Sequence, residues 1–175
     1  MDTDEKVRAE RKKPDPRAAA LARALRGELK VSLVAVAAVL GKEQSTLGNF
    51  ETSHHSLGAK TERRLLLYFA EAFAAKGIAV EPVPEDITLP NLRLLLARVL
   101  HAIQLARAVQ QTGGAAQNSE AAQLGEADFF DTVIATSLSL AGGRTDSPGV
   151  NARVWKRIEE QDAKAAAQHT AAGNE

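Results

Sequence analysis

Residues 32–51 read Ser-Leu-Val-Ala-Val-Ala-Ala-Val-Leu-Gly-Lys-Glu-Gln-Ser-Thr-Leu-Gly-Asn-Phe-Glu, and this stretch decides the fold. Ser32 suits the position before a helix, where its oxygen accepts a first-turn N–H, and Leu33, Val36, Ala37 and Leu40 then share one face at helical spacing. Gly41 follows the last of them, where a helix that must turn sharply needs a residue free to take positive φ. A second helix is predicted from near Glu43, burying Leu47 and Phe50 and turning Gln44, Ser45, Thr46 and Asn49 outward. Two short helices joined by a tight turn, the second presenting a row of small amides and hydroxyls, have the layout of a helix-turn-helix.

The outward row has the chemistry of base recognition. The Gln44 amide donates and accepts together, matching the N6 and N7 edge of adenine in the major groove. Ser45 can bond a base or a phosphate, Thr46 stands beside it, and Asn49 lies one turn along the same face. Gly48 between them leaves room for close approach. Gln44, Ser45, Thr46 and Asn49 are therefore the expected base-reading residues; the competing expectation is an ordinary solvated helix face. Lys42, His54, His55, Lys60, Arg63 and Arg64 flank the row and are expected at phosphates. Thr61 is placed as the cap of the next helix, whose first N–H groups favour an anion. His54 and His55 are adjacent rather than three or four apart, so they form no helical metal pair, and no metal or cofactor is expected.

At these residues the segment resembles the Cro and phage-repressor family of helix-turn-helix regulators, also called the xenobiotic-response-element family. Ser32 stands where that family starts its second helix, Val36-Ala37 matches its Leu-Ala pair, and Leu40-Gly41 its Leu-Gly before the turn. Ser45-Thr46-Leu47 matches the Ser-Thr-Ile of its recognition helix, and Phe50-Glu51 its closing apolar-acidic pair. The resemblance covers roughly residues 20–76. It departs at Leu33 and Val34, where the family carries Gln or Glu, and at Ser53, where it carries Gly. What it implies is an all-α, lambda-repressor-like helix-turn-helix bundle, here with a C-terminal helical extension.

The composition agrees. The chain has 175 residues, 45% of them hydrophobic but only 4% aromatic, so an alanine-inflated helical bundle is expected rather than a sheet with an aromatic core. The absence of cysteine excludes a disulfide framework and a cysteine-ligated zinc site. No apolar run of membrane-spanning length occurs and the charged start lacks a secretory core, so a cytoplasmic protein with no membrane partner is expected. The formal net charge of +0 hides a gradient: residues 6–64 carry 13 Lys plus Arg against 6 Asp plus Glu, and residues 65–175 carry 9 against 13. A local excess of positive charge suits a polyanion, while an acidic remainder limits non-specific sticking.

Five regions follow. Residues 1–16, charged and holding Pro14 and Pro16, are expected to form a mobile arm. Residues 17–76 are assigned to the DNA-binding domain: a first helix with Leu21, Leu25 and Leu29 inward, the two helices above, and a fourth marked by Leu65, Leu66, Phe69 and Phe73. Residues 77–89, with Gly77, Pro82 and Pro84 and with Ile78 to Val83 extended at most, are expected to form a connector or a short edge strand. Residues 90–140 are assigned to a helical dimerisation or interaction region, and 141–175 to a short helix and a frayed tail. Within the fourth of these, Leu92, Leu96, Val99 and Ile103 recur at the four-and-three spacing of a helix seam. The seam closes the core of its own chain, packs against the same helix of a second copy as a dimer interface, or does both.

An enzyme is not expected: there is no cysteine nucleophile, no glycine-rich phosphate loop after a strand and no His-x-x-x-His metal spacing. The expectation is a sequence-specific regulator, most simply a repressor, that binds double-stranded DNA as a homodimer on a pseudo-palindromic operator. The alternative is an interaction module, such as an antitoxin or inhibitor, holding a protein partner through its C-terminal helices. Phe129, Phe130 and Trp155 would favour that alternative as an exposed patch and oppose it as core residues.

Overall fold

The computed structural model describes residues 15–112, 126–141 and 148–172. Every regular element among them is a helix: α1 (Pro16–Leu29), α2 (Leu33–Leu40), α3 (Gln44–Glu51), α4 (Ala59–Ala75), α5 (Leu89–Thr112), α6 (Glu126–Ala141) and α7 (Pro148–Ala172). The fold is all-α.

Helix α1 is the hub. The Asp15 carboxylate caps it, accepting from the Arg17 and Ala18 N–H groups at 3.0 and 3.3 Å, and Pro16 occupies the first position, where a missing N–H is harmless. Lys30 closes the helix in the left-handed region at φ 56°. Leu21, Leu25 and Leu29 are buried as expected, but so are Ala18, Ala19, Ala20, Ala22 and Ala24. The burial runs nearly round the helix, and α1 packs on α3, α4, α5, α6 and α7. Alanine makes this feasible because a methyl side chain lets a neighbouring backbone approach, and a helix apolar on all sides is stable only when covered on all sides.

One hydrophobic cluster runs through the described residues, joining Leu47 and Phe50 of α3, Leu65, Leu66, Phe69 and Phe73 of α4, Leu92, Leu96, Val99 and Leu100 of α5, Val133 and Ile134 of α6, and Ile158 of α7. The division after residue 76 therefore does not separate two cores. The seam is corrected with it: Leu92 and Leu96 are fully buried, Val99 is buried and Ile103 packs against the cluster. Helices α1, α4 and α6 supply the facing surface within the chain, so these side chains are not a free dimer interface.

Three boundaries also move. Asp15 and Pro16 belong to α1, and the rest of the expected arm lies outside the described residues. The connector has no strand, but Ile78, Val80, Val83 and Ile87 pack partly into the core. The expected short helix and frayed tail is instead α7, 25 residues long. Arg17 anchors it, holding Asp131 of α6 at 2.6 Å and Asp162 of α7 at 2.8 Å. Hydrogen bonds to these two carboxylates hold the Arg17 guanidinium more firmly protonated than usual, and the same bond keeps the Asp162 carboxyl below its ordinary range. Among the described residues no helix is long and apolar enough to cross a membrane.

Candidate nucleic-acid interface

Helices α2 and α3 are joined by residues 41–43. Ser32 accepts the Ala35 N–H at 3.2 Å, and Gly41 ends α2 at φ 62°. There the Lys42 N–H reaches the Ala37 carbonyl at 2.9 Å and the Gly41 N–H the Ala38 carbonyl at 3.2 Å, the bonding that reverses a chain at a helix end. Val36, Ala37 and Leu40 face the core, whereas Val34 (59% exposed) and Val39 (50%) face outward. Val34 is thus an apolar side chain in water where the resemblance would place a polar one.

Helix α3 buries Leu47, Phe50 and Glu51 and exposes Gln44, Ser45, Thr46 and Asn49. The structure thus brings all four expected base-reading residues to the solvent side of one short helix. Gln44 and Gly48 lie one turn apart, as do Ser45 and Asn49. A Cβ added at Gly48 would meet nothing within 4 Å, so that flank is open. The Ser45 hydroxyl donates to the Glu43 carboxylate at 3.3 Å, which sets one negative charge at the edge of the row.

The expected phosphate residues divide. Lys42, His54, His55, Lys60 and Arg64 are exposed. His54 is oriented by its Nδ1, 2.8 Å from the Thr52 hydroxyl. Arg63 is corrected: its guanidinium donates to the Ile87 carbonyl and, at 2.7 Å, to the Glu85 carbonyl, fastening α4 to the connector rather than facing outward. Thr61 is corrected too, because α4 begins earlier, after Gly58, and Thr61 sits inside its first turn. The positive excess is also partly internal, since Arg17 and Arg26 are paired with carboxylates and Arg23 is buried. Lys42, Lys60 and Arg64, on the segments that flank α3 in the chain, are among the exposed cations, as is Lys30 at the end of α1.

Two supports of α3 escaped the sequence. Arg26 of α1 forms a buried two-pronged pair with Glu51, at 2.8 and 2.9 Å, and also donates to the Val31 carbonyl at 3.2 Å. Arg157 of α7 donates to the Thr52 carbonyl at 2.5 Å. Neither leaves a periodic signal; the one hint was the acidic residue closing the Phe50-Glu51 pair. Ser53, where the resemblance expects Gly, adopts φ 60°, the conformation that favours Gly, and its buried hydroxyl has no partner among the described residues.

Comparison of the chain with family models, curated proteins and solved structures gave no match.

Proposed function

We propose that this chain is a DNA-binding regulator of the Cro and phage-repressor kind, with α2 and α3 as its helix-turn-helix and α3 as the helix that enters the major groove. The observation that carries the reading is the exposed set Gln44, Ser45, Thr46 and Asn49 on a helix whose opposite face is anchored by Leu47, Phe50 and Glu51. Gln44 and Asn49 supply paired donors and acceptors for base edges; Lys42, Lys60, Arg64, His54 and His55 supply phosphate contacts, which set affinity and register. The simplest outcome is repression by occupying an operator. A two-fold operator calls for two copies held about 34 Å apart, and Leu92, Leu96 and Val99 are buried within the chain and do not offer that contact. The interaction-module reading loses its main support, because Phe129 and Phe130 pack against the core; the Trp155 side chain lies outside the described residues.

The test is enrichment of duplexes from a random-sequence pool by the full chain, followed by affinity measurements on the enriched duplex and a shuffled one. Gln44→Ala should lose about 1–3 kcal/mol on the enriched duplex and almost nothing on the shuffled one. Lys60→Ala or Arg64→Ala should weaken both alike and flatten the slope of log affinity against log salt by about 0.9 for each contact removed. Failure to enrich any sequence would overturn the reading.

A further inference from the structure

By its own sequence α3 is a poorly supported helix. It has eight residues, a glycine near its middle, and in Glu43 a preceding residue that makes no side-chain cap. A helix of this length does not persist alone in water, so its shape is imposed by what it touches. At its far end the Thr52 hydroxyl and the His54 N–H close the last turn locally, on the Gly48 and Asn49 carbonyls at 2.8 Å each, and two further contacts come from distant helices. Arg26 holds the Glu51 carboxylate from α1, and Arg157 holds the Thr52 carbonyl across a separation of 105 residues.

The second contact has a definite chemistry. Thr52 closes α3, and carbonyls at a helix end lack partners within the helix. A guanidinium there both donates a hydrogen bond and sets a cation at the negative end of the helix dipole. The position of Arg157 is itself fixed: the adjacent Ile158 is only 2% exposed, and one turn on, Asp162 is paired with Arg17. Helix α7 thus enters the core beside the end of α3.

We propose that Arg157 is a positioning residue for DNA reading: by holding the Thr52 carbonyl it fixes the end of α3, and with it the placement of Gln44, Ser45 and Asn49 against base edges. The inference rests on the reading of α3 given above and makes the C-terminal helix part of sequence discrimination. Base-edge hydrogen bonds tolerate displacements of only a few tenths of an ångström, whereas flexible lysines can follow a phosphate. Loosening α3 therefore erodes specific binding before non-specific binding.

The experiment compares the full chain with Arg157→Ala, Arg157→Lys and, as a control on the exposed side of α7, Lys164→Ala. Affinities are measured over a range of salt on the duplex enriched by the unaltered chain and on its shuffled counterpart. Arg157→Ala should lose about tenfold on the enriched duplex, the size of one good base contact, and less than about twofold on the shuffled one, with an unchanged salt slope. Arg157→Lys keeps a donor and a charge and should recover most of the loss, while Lys164→Ala should match the unaltered chain. Equal losses on both duplexes would reduce Arg157 to general stability, and no loss would make it idle; either overturns the proposal. If Arg157→Ala does not fold, Arg157→Gln takes its place in the same comparison. Amide hydrogen exchange separates this proposal from the reading beneath it. In Arg157→Ala the Thr52 and Ser53 amides should exchange about tenfold faster relative to those of α1, whether or not any duplex is enriched. Unchanged exchange overturns the proposal even if the unaltered chain binds DNA.

Discussion

Helix α1 has a side-chain cap at its start and α3 has none, while the far end of each takes a cation from another helix: Lys76 on the Leu29 carbonyl of α1 and Arg157 on the Thr52 carbonyl of α3. Asp15 caps α1, Pro16 presets its first turn, Lys30 closes it, and alanine, the best helix former, fills its length. Helix α3 has no side-chain cap from Glu43 and carries Gly48 near its middle; its end is closed locally by the Thr52 hydroxyl and the His54 N–H, with Arg26 and Arg157 added from distant helices. The core is built on the helix with a capped start, and the exposed polar row is mounted on the one without. Polar residues with a glycine make a poor helix, so tertiary contacts supply much of the order of α3.

The comparison breaks most directly at the Arg26–Glu51 pair. Glu51→Ala leaves a guanidinium buried without that carboxylate and should cost about 3–5 kcal/mol in urea unfolding, whereas Arg26→Met with Glu51→Leu should restore most of the loss. A cost below about 1 kcal/mol for Glu51→Ala would mean that α3 does not hang on α1. A smaller effect, of opposite sign, is expected just past α3. Ser53→Gly removes a side chain from left-handed backbone and should stabilise the fold by about 1–2 kcal/mol. Ser53→Ala keeps the Cβ and should not reproduce that gain; equal thermal midpoints for the two would assign the effect to the hydroxyl instead. The smallest effect sharpens the contrast. Gly48→Ala fills open space and should stabilise α3 by about 0.8–1.0 kcal/mol, yet put a methyl group on the flank shared with Gln44 and weaken the enriched duplex. Stability and affinity moving in the same direction would show that DNA does not approach that flank.

Much of this arrangement was legible in the sequence because local rules govern it. Ser32 and Gly41 bracket α2 by capping and by the need for positive φ, and Leu47, Phe50, Leu65, Leu66, Phe69 and Phe73 declare their faces by helical spacing. The seam at Leu92, Leu96 and Val99 was equally visible as apolar, but spacing says that a face is covered and not by which chain. The second side of α1 was hidden because Ala18, Ala22 and Ala24 read as helix formers whether buried or exposed. Helix α7 was under-read because its outer half, residues 159–168, is exposed throughout and carries no apolar stripe. Of the candidate site, the outward row could be read from α3 alone. The side chains that hold it could not, since Arg26 and Glu51 stand 25 residues apart and Arg157 and Thr52 stand 105 apart.

That last separation bears on how the protein is made. A ribosome releases α1 to α4 long before it adds residue 157. In that interval one side of α1 waits for α6 and α7, and the Thr52 carbonyl waits for its cation. A nascent or prematurely ended chain therefore holds the exposed row of α3 without the contact that Arg157 adds at its end. On the proposed DNA-binding reading, half-made copies would then compete poorly for the sites that finished copies occupy.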